Sequence, residues 1–264
     1  MYAAYLRGRR RRRVAIAAAQ GLILLTTLAL WELAAARFWV NPMLTSRPSA
    51  VLATLVRLGS TGALQRHLLT TLVETLAGFA IGMALGLGVA AALWWWPALA
   101  EVLDPYLVVL NALPKIALGP IFYIWLGDRW SVYGMAVAIS IIVTIVMLHA
   151  GFHEVEPNQI LVMRTFGASR GQILRRVILP ASLPTLMATL KVNIGLTLVG
   201  VIVGEFLSAK AGLGYLIIYG GQVFQMELVM TSIVILAAIS AALYLAVTWL
   251  ERLVTRLLHL PIRS

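Results

Sequence analysis

Long, nearly unbroken apolar runs constrain this chain more than any other feature. They fall near residues 14–36, 70–93, 103–126, 131–150, 185–206 and 229–250. Each is long enough to cross ~30 Å of hydrocarbon at about 1.5 Å per helical residue. Strands of a membrane barrel would be shorter and would alternate every second residue; these runs do not. The pattern predicts an all-α polytopic membrane protein with about six transmembrane helices. Composition agrees, with 61% of the 264 residues hydrophobic and 12% charged, against roughly 25% charged in an ordinary soluble domain. An ordinary cytosolic enzyme, a disordered chain and a soluble nucleic-acid binder are excluded. The partner implied directly is a lipid bilayer, and no nucleic acid is expected.

The formal net charge of +11 fits the same reading, because cytoplasmic loops collect Lys and Arg. With the N-terminus inside, the inner segments hold 13 cationic residues and the outer ones six. This predicts cytoplasmic N- and C-termini. Arg7 and Arg9–Arg13 before the first run imitate a signal peptide. That run exceeds an h-region of about 7–15 residues and no A-x-A site follows, so a retained first span is expected. Phe38, Trp39, Trp94, Trp95, Trp96, Trp125 and Trp130 sit at run ends, where half-wet rings are favoured. Cysteine is absent, which removes disulfides and thiolate chemistry.

Gly78, Gly82 and Gly86 share one face of the second run and predict a close helix–helix contact, since small residues let backbones approach. Pro105, Pro114 and Pro120 should break or kink the third run, and Lys115 lies inside it. Residues 41–69 should hold a short amphipathic helix on the outer membrane surface. His149 and His153 are spaced i, i+4 but lack the H-E-x-x-H glutamate; no metal site is expected.

The segment 151–184, GFHEVEPNQILVMRTFGASRGQILRRVILPASLP, lies outside the membrane yet is part-apolar. A helix over Asn158–Phe166 should end at Gly167. A second, capped by Ser169, should run through Arg176, with Pro180 and Pro184 closing the stretch. A short helix-turn-helix with apolar faces outside the membrane wants a protein partner.

This segment resembles the coupling-loop signature of permease subunits of ATP-binding-cassette (ABC) importers: EAA, three residues, Gly, nine residues, Ile, one residue, Leu-Pro. Gly167, Val177, Leu179 and Pro180 hold the corresponding positions. Leu161, Val162 and Met163 stand where EAA belongs, so Leu161 would dock by packing. HLLTTLVETLAGFAIGMALG, NALPKIALGPIFYIWLGD and GEFLSAKAGLGYLIIYGGQVFQMELVM extend the likeness over about residues 65–255. They resemble the nitrate, sulfonate, taurine and bicarbonate subfamily.

The resemblance implies the type I importer fold. Residues 1–66 would hold the basic tail, first span and outer segment, residues 67–255 the core permease, and 256–264 a cytoplasmic tail. It implies a bacterial inner-membrane permease, two copies of which form the pathway. ATPase subunits carrying ATP and Mg would bind the coupling loops, and an extracytoplasmic binding protein would deliver cargo. The chain has no G-x-x-x-x-G-K-[ST] loop, so no cofactor or catalytic residue is expected in it. Leu161, Arg164, Phe166, Gly167, Ala168 and Ser169 would meet the ATPase, and Pro180 would set the angle of return. Asn111, Lys115, Asn193 and Glu205 are pathway candidates, being polar within or beside apolar runs. The alternative for Glu205 is structural, a pairing with Lys210 or a cap on local backbone at the outer gate, and Gly212 and Gly214 are expected to turn the chain in the outer loop. Lys115 favours a small anionic cargo; a vitamin precursor or aromatic compound, of thiamine-precursor or riboflavin type, is the alternative. A membrane scaffold or membrane-embedded enzyme is the competing class.

Overall fold

The computed structural model describes residues 2–257, with side chains at residue 12 and from residue 14 onward. His259, Arg263 and the rest of the expected tail beyond Leu257 lie outside the described residues. So do the side chains of Arg7, Arg9–Arg11 and Arg13. All regular structure among the described residues is helical. It falls into two compact units, one comprising the chain to Leu64 with Ile217–Ser232, the other Gln65–Leu216 with the chain from Ile233.

In the first unit, α1 (Tyr2–Ala36) carries the arginine run straight into the first span. The span buries nothing against this chain over its most apolar stretch. Asn41 caps α2 (Pro42–Thr45) by accepting the Met43 N–H at 3.0 Å. The expected amphipathic helix is α3 (Pro48–Ser60), which buries Val51 and Thr54 and exposes Leu52 and Val56. Glu32, an interruption in the first run, accepts the Ser49 N–H at 2.9 Å and the Ser49 hydroxyl at 2.8 Å. A carboxylate thus satisfies an orphan donor at the start of α3. Thr54 donates to Glu227 at 3.3 Å and Thr231 to the Val51 carbonyl at 3.3 Å, tying α3 to the start of α12 (Met226–Leu257).

The second unit is built on α4 (Ala63–Trp95), α6 (Gly119–His153) and α10 (Leu183–Ser208). Gly78, Gly82 and Gly86 are buried, and the expected close contact is made with α6. A β-carbon on each would lie within 2.7 Å of Ala136, Ser140 or Thr144. The more extensive contact is α10 on α6. There Gly200 and Gly204 bring backbones together: a β-carbon at either would lie 2.6 Å from an α6 α-carbon, of Ala136 or Val132. Both helix pairs therefore meet through missing side chains.

Contacts at the helix ends define two poles. Trp95, at the end of α4, lies beside Arg170, and Ser182 binds the Gly151 carbonyl near the end of α6. At the other pole, His67 of α4 binds Gly212, and Ser131 of α6 binds Ser208 at the end of α10.

The expected third span, 103–126, is corrected. α5 (Pro97–Ala112) begins earlier, and Pro105 sits inside it without ending it. Leu113 and Pro114 interrupt the helix, Lys115–Leu118 forms a 3-10 turn, and α6 starts at Gly119 with Pro120 in its first turn. Gly127, at φ 73° and ψ 179°, then kinks α6. Among the described residues five helices, rather than six, are long and apolar enough to span. The sixth crossing is broken: the chain leaves one pole at Trp96 and reaches the other by Ser131. The 16 residues of α5 and four of the 3-10 turn give about 32 Å of rise.

Replacing Gly200 by Ala forces a β-carbon onto α6 backbone that cannot yield. It is expected to destabilise the detergent-solubilised protein by about 1–3 kcal/mol, read as a lower thermal midpoint. Gly88→Ala, with open space around it, should leave the midpoint unchanged.

Candidate functional site

At one pole the segment 151–184 folds as a packed device rather than a loose loop. Pro157 opens α7 (Pro157–Thr165), and Gly167 ends it at φ +75°. Gly167 N–H bonds the Arg164 carbonyl at 2.9 Å, and Ala168 N–H bonds the Met163 carbonyl at 3.0 Å. Glycine reaches this left-handed conformation without the clash a β-carbon brings. Ser169 caps α8 (Arg170–Ile173) in a reciprocal box with Gln172. The inward face joins Ile173 and Ile178 to Ala90 of α4 and to Leu148, Phe152 and Val155. Ile160, Met163, Ala168 and Val177 pack around them.

The expected end of the second helix at Arg176 is corrected. The chain runs on through a π turn, Leu174–Ile178, into α9 (Leu179–Ala181) and then α10. Leu179 N–H bonds Leu174 O, five residues back. Proline has no N–H, and the widened turn precedes Pro180 at the start of α9.

The outward face is apolar and wet. Phe166 is 83% exposed, Leu161 59% and Val162 53%. Arg164 lies on this face, and with Leu161, Pro157, Asn158 and Ile160 it lines a shallow pocket of about 370 Å³. The predicted tip residues Leu161, Arg164, Phe166, Gly167, Ala168 and Ser169 are thus contiguous, with Ala168 turned partly inward. Pro180 lies apart from them, beyond the π turn.

The opposite pole centres on Glu205, which is 1% exposed. Its carboxylate accepts the Thr71 hydroxyl at 2.7 Å and the Gly214 N–H at 2.5 Å. Thr71 Oγ1 accepts the Leu213 N–H at 2.9 Å, and His67 Nδ1 accepts the Gly212 N–H at 3.0 Å. Three successive N–H groups are each taken by a side chain, which pins the start of α11 (Leu213–Gln222) to α4. The backbone-capping reading of Glu205 holds. Its alternative pairing with Lys210 does not: Lys210 binds Asp128 at 3.1 Å. Glu74, one turn along α4, interacts with Glu205; sequence reading passed over it. It also passed over the 2.5 Å ion pair between Lys191 of α10 and Glu251 of α12.

The remaining polar candidates divide. Asn111 and Lys115 meet, the Lys115 ammonium donating to the Asn111 carbonyl at 3.1 Å, and no carboxylate pairs with Lys115 among the described residues. Asn193 is fully buried, its amide donating to the Met83 sulfur at 3.7 Å and its oxygen unpartnered. No group of His, Cys, Asp or Glu able to hold a metal occurs among the described residues.

The second unit is thus a bundle of apolar helices long enough to span a membrane, with a folded, apolar-tipped loop at one pole. Residues 82–259 match the family described as binding-protein-dependent transport system inner membrane component, and the chain belongs to that family. A probable ABC transporter permease of Haemophilus influenzae is 32% identical over 71% of this chain and 77% of its own length. The formylaminopyrimidine permease ThiX of Halalkalibacterium halodurans is 29% identical over 74% and 77%. The taurine permease TauC of Escherichia coli is 26% identical over 86% and 85%. Among solved structures, a chain of the methionine ABC transporter MetNI in an inward-facing conformation superimposes with TM-score 0.66 at 20% identity. That match covers 75% of this chain and 98% of the other. The fold is that of type I importer permeases, and the chain is an ABC importer permease, a membrane component and not itself an enzyme.

Glu205→Ala would take the acceptor from the Gly214 N–H and from the Thr71 hydroxyl. It is expected to cost about 1–3 kcal/mol, read as a lower thermal midpoint in detergent. Lys210→Ala removes only an exposed pair and should leave the midpoint unchanged.

Proposed function

We propose that two copies of this chain form the pathway of a bacterial importer for a small anion, of sulfonate or taurine type. Each copy would dock a cytosolic ATPase, which holds ATP and Mg, on the tip formed by Leu161, Arg164, Phe166, Gly167, Ala168 and Ser169. An extracytoplasmic binding protein would deliver cargo at the opposite pole. The observation that carries the docking reading is the exposed apolar tip, with Phe166 at 83% exposure, held on a buried base. Burying such a patch against a partner removes apolar area from water. With six crossings both termini would lie in the cytoplasm, in keeping with the cationic bias of the inner segments.

A second copy is supported by α5, which buries none of its residues in this chain. The anionic cargo is supported by Lys115, whose ammonium lacks a carboxylate partner among the described residues, and by the likeness to TauC. The likeness to ThiX favours a pyrimidine precursor as the second reading.

Affinity purification from the native membrane should recover an ATPase near one-to-one. Recovery of the chain alone, even after crosslinking, would overturn the assignment. Gly167→Pro cannot adopt φ +75° and should abolish ATPase recovery while the spans remain inserted. Lys115→Met should lower uptake of an anionic cargo about tenfold, the effect of losing one charged hydrogen bond. Unchanged uptake kinetics would remove Lys115 from the pathway.

A further inference from the structure

The carbonyls of the last turn of a helix have no partner within it. At the end of α4 the chain turns at Trp96 into Pro97, which has no N–H to offer. The Trp95 carbonyl instead accepts the Arg170 Nη1–H at 3.0 Å, across 75 positions of sequence. A cation at a helix C-terminus is favoured by the helix dipole, and a charged donor gives one of the stronger hydrogen bonds. The next residue of the loop is Gly171, where a β-carbon would lie 3.7 Å from the Trp95 ring. The last residue of α4 is therefore held through its carbonyl by Arg170, with its ring beside the Gly171 backbone.

Arg170 is itself placed firmly. It is the first residue of α8, directly after the cap Ser169 and inside the Ser169–Gln172 capping box. Beneath it, Ile173 and Ile178 are buried with Ala90, and Ala91 and Trp94 of α4 pack on the same cluster. Above this junction α4 is locked to α6 through Gly78, Gly82 and Gly86.

We propose that Arg170 is a positioning residue for transport: it makes the end of α4 follow the loop tip, so that movement of the docked ATPase enters the membrane through α4. Burial of the apolar cluster already holds α4 and the loop together. The Arg170 bond adds direction, because it pulls on a backbone atom along the helix axis. The proposal rests on the ATPase-docking reading of the tip.

The test uses the assembled transporter in lipid nanodiscs. The chain has no cysteine, so spin labels can be placed at Leu85→Cys on α4 and Arg176→Cys beyond the capping box, both exposed. The distance distribution is recorded without nucleotide and with ATP and vanadate. With Arg170 present, the distance component within one copy is expected to be narrow in both states. Arg170→Gln should broaden it in the trapped state and lower the number of cargo molecules moved per ATP by about tenfold, the cost of one charged hydrogen bond. ATPase recovery should be unchanged. Arg170→Lys, which keeps a charged donor, should restore coupling in part and gives a second reading should the glutamine variant assemble poorly. Distributions and coupling ratio identical to wild type in Arg170→Gln, with the ATPase bound, would overturn the proposal. Failure of the wild-type chain to bind any ATPase would overturn the docking reading and this proposal with it.

Discussion

Close backbone approach between α4, α6 and α10 is the contact on which the rest of the second unit depends. Lipid tails are as apolar as leucine, so helices in a bilayer gain little by hiding side chains from it. What they gain is van der Waals contact, and that requires surfaces that meet without gaps. Five buried glycines, Gly78, Gly82 and Gly86 on α4 and Gly200 and Gly204 on α10, flank the same helix, α6. Ser140 and Thr144, on the contact face of α6, return their hydroxyls to carbonyls four residues back, at 2.9 Å in each case. The polar groups in the seam are thereby largely self-satisfied, and the seam holds by shape.

Polar side chains act mainly at the two poles. At one, Arg170 and Ser182 finish the ends of α4 and α6. At the other, His67, Thr71 and Glu205 receive the first three N–H groups leading into α11. Each pole solves the same problem: helix termini leave donors and acceptors that hydrocarbon cannot satisfy. The difference lies outside the bundle. One pole closes on itself around Glu205, while the other presents Phe166, Leu161 and Val162 outward.

Much of this was legible in the sequence because the signals were local and periodic. The spans, the glycine face of α4, the turn at Gly167 and the cap at Ser169 each follow from residues within a few positions. The third span was misplaced because hydropathy averages over Leu113, Pro114 and Gly127, where the backbone breaks without any loss of apolarity. Pro105 was read as a break, yet it lies inside α5. Glu74, Lys191 and the Arg170–Trp95 bond were not legible. Each depends on a partner at least 60 positions away, and nothing in local spacing encodes that distance. Glu205 lay between: its polarity within an apolar run marked it, but only the fold chose Gly214 over Lys210 as its partner.

The π turn at Leu174–Ile178 has a geometric consequence. A regular helix advances about 100° per residue, and a π turn carries one residue more than the α-helical turn it replaces. Everything before Leu174 is therefore out of phase, by about one residue's rotation, with everything after Leu179. The loop and α10 form a nearly continuous rod of chain whose two halves face different directions. Losing a single residue there would keep every helix, yet turn the face that carries Leu161 and Phe166 away from where the remainder of the molecule presents it.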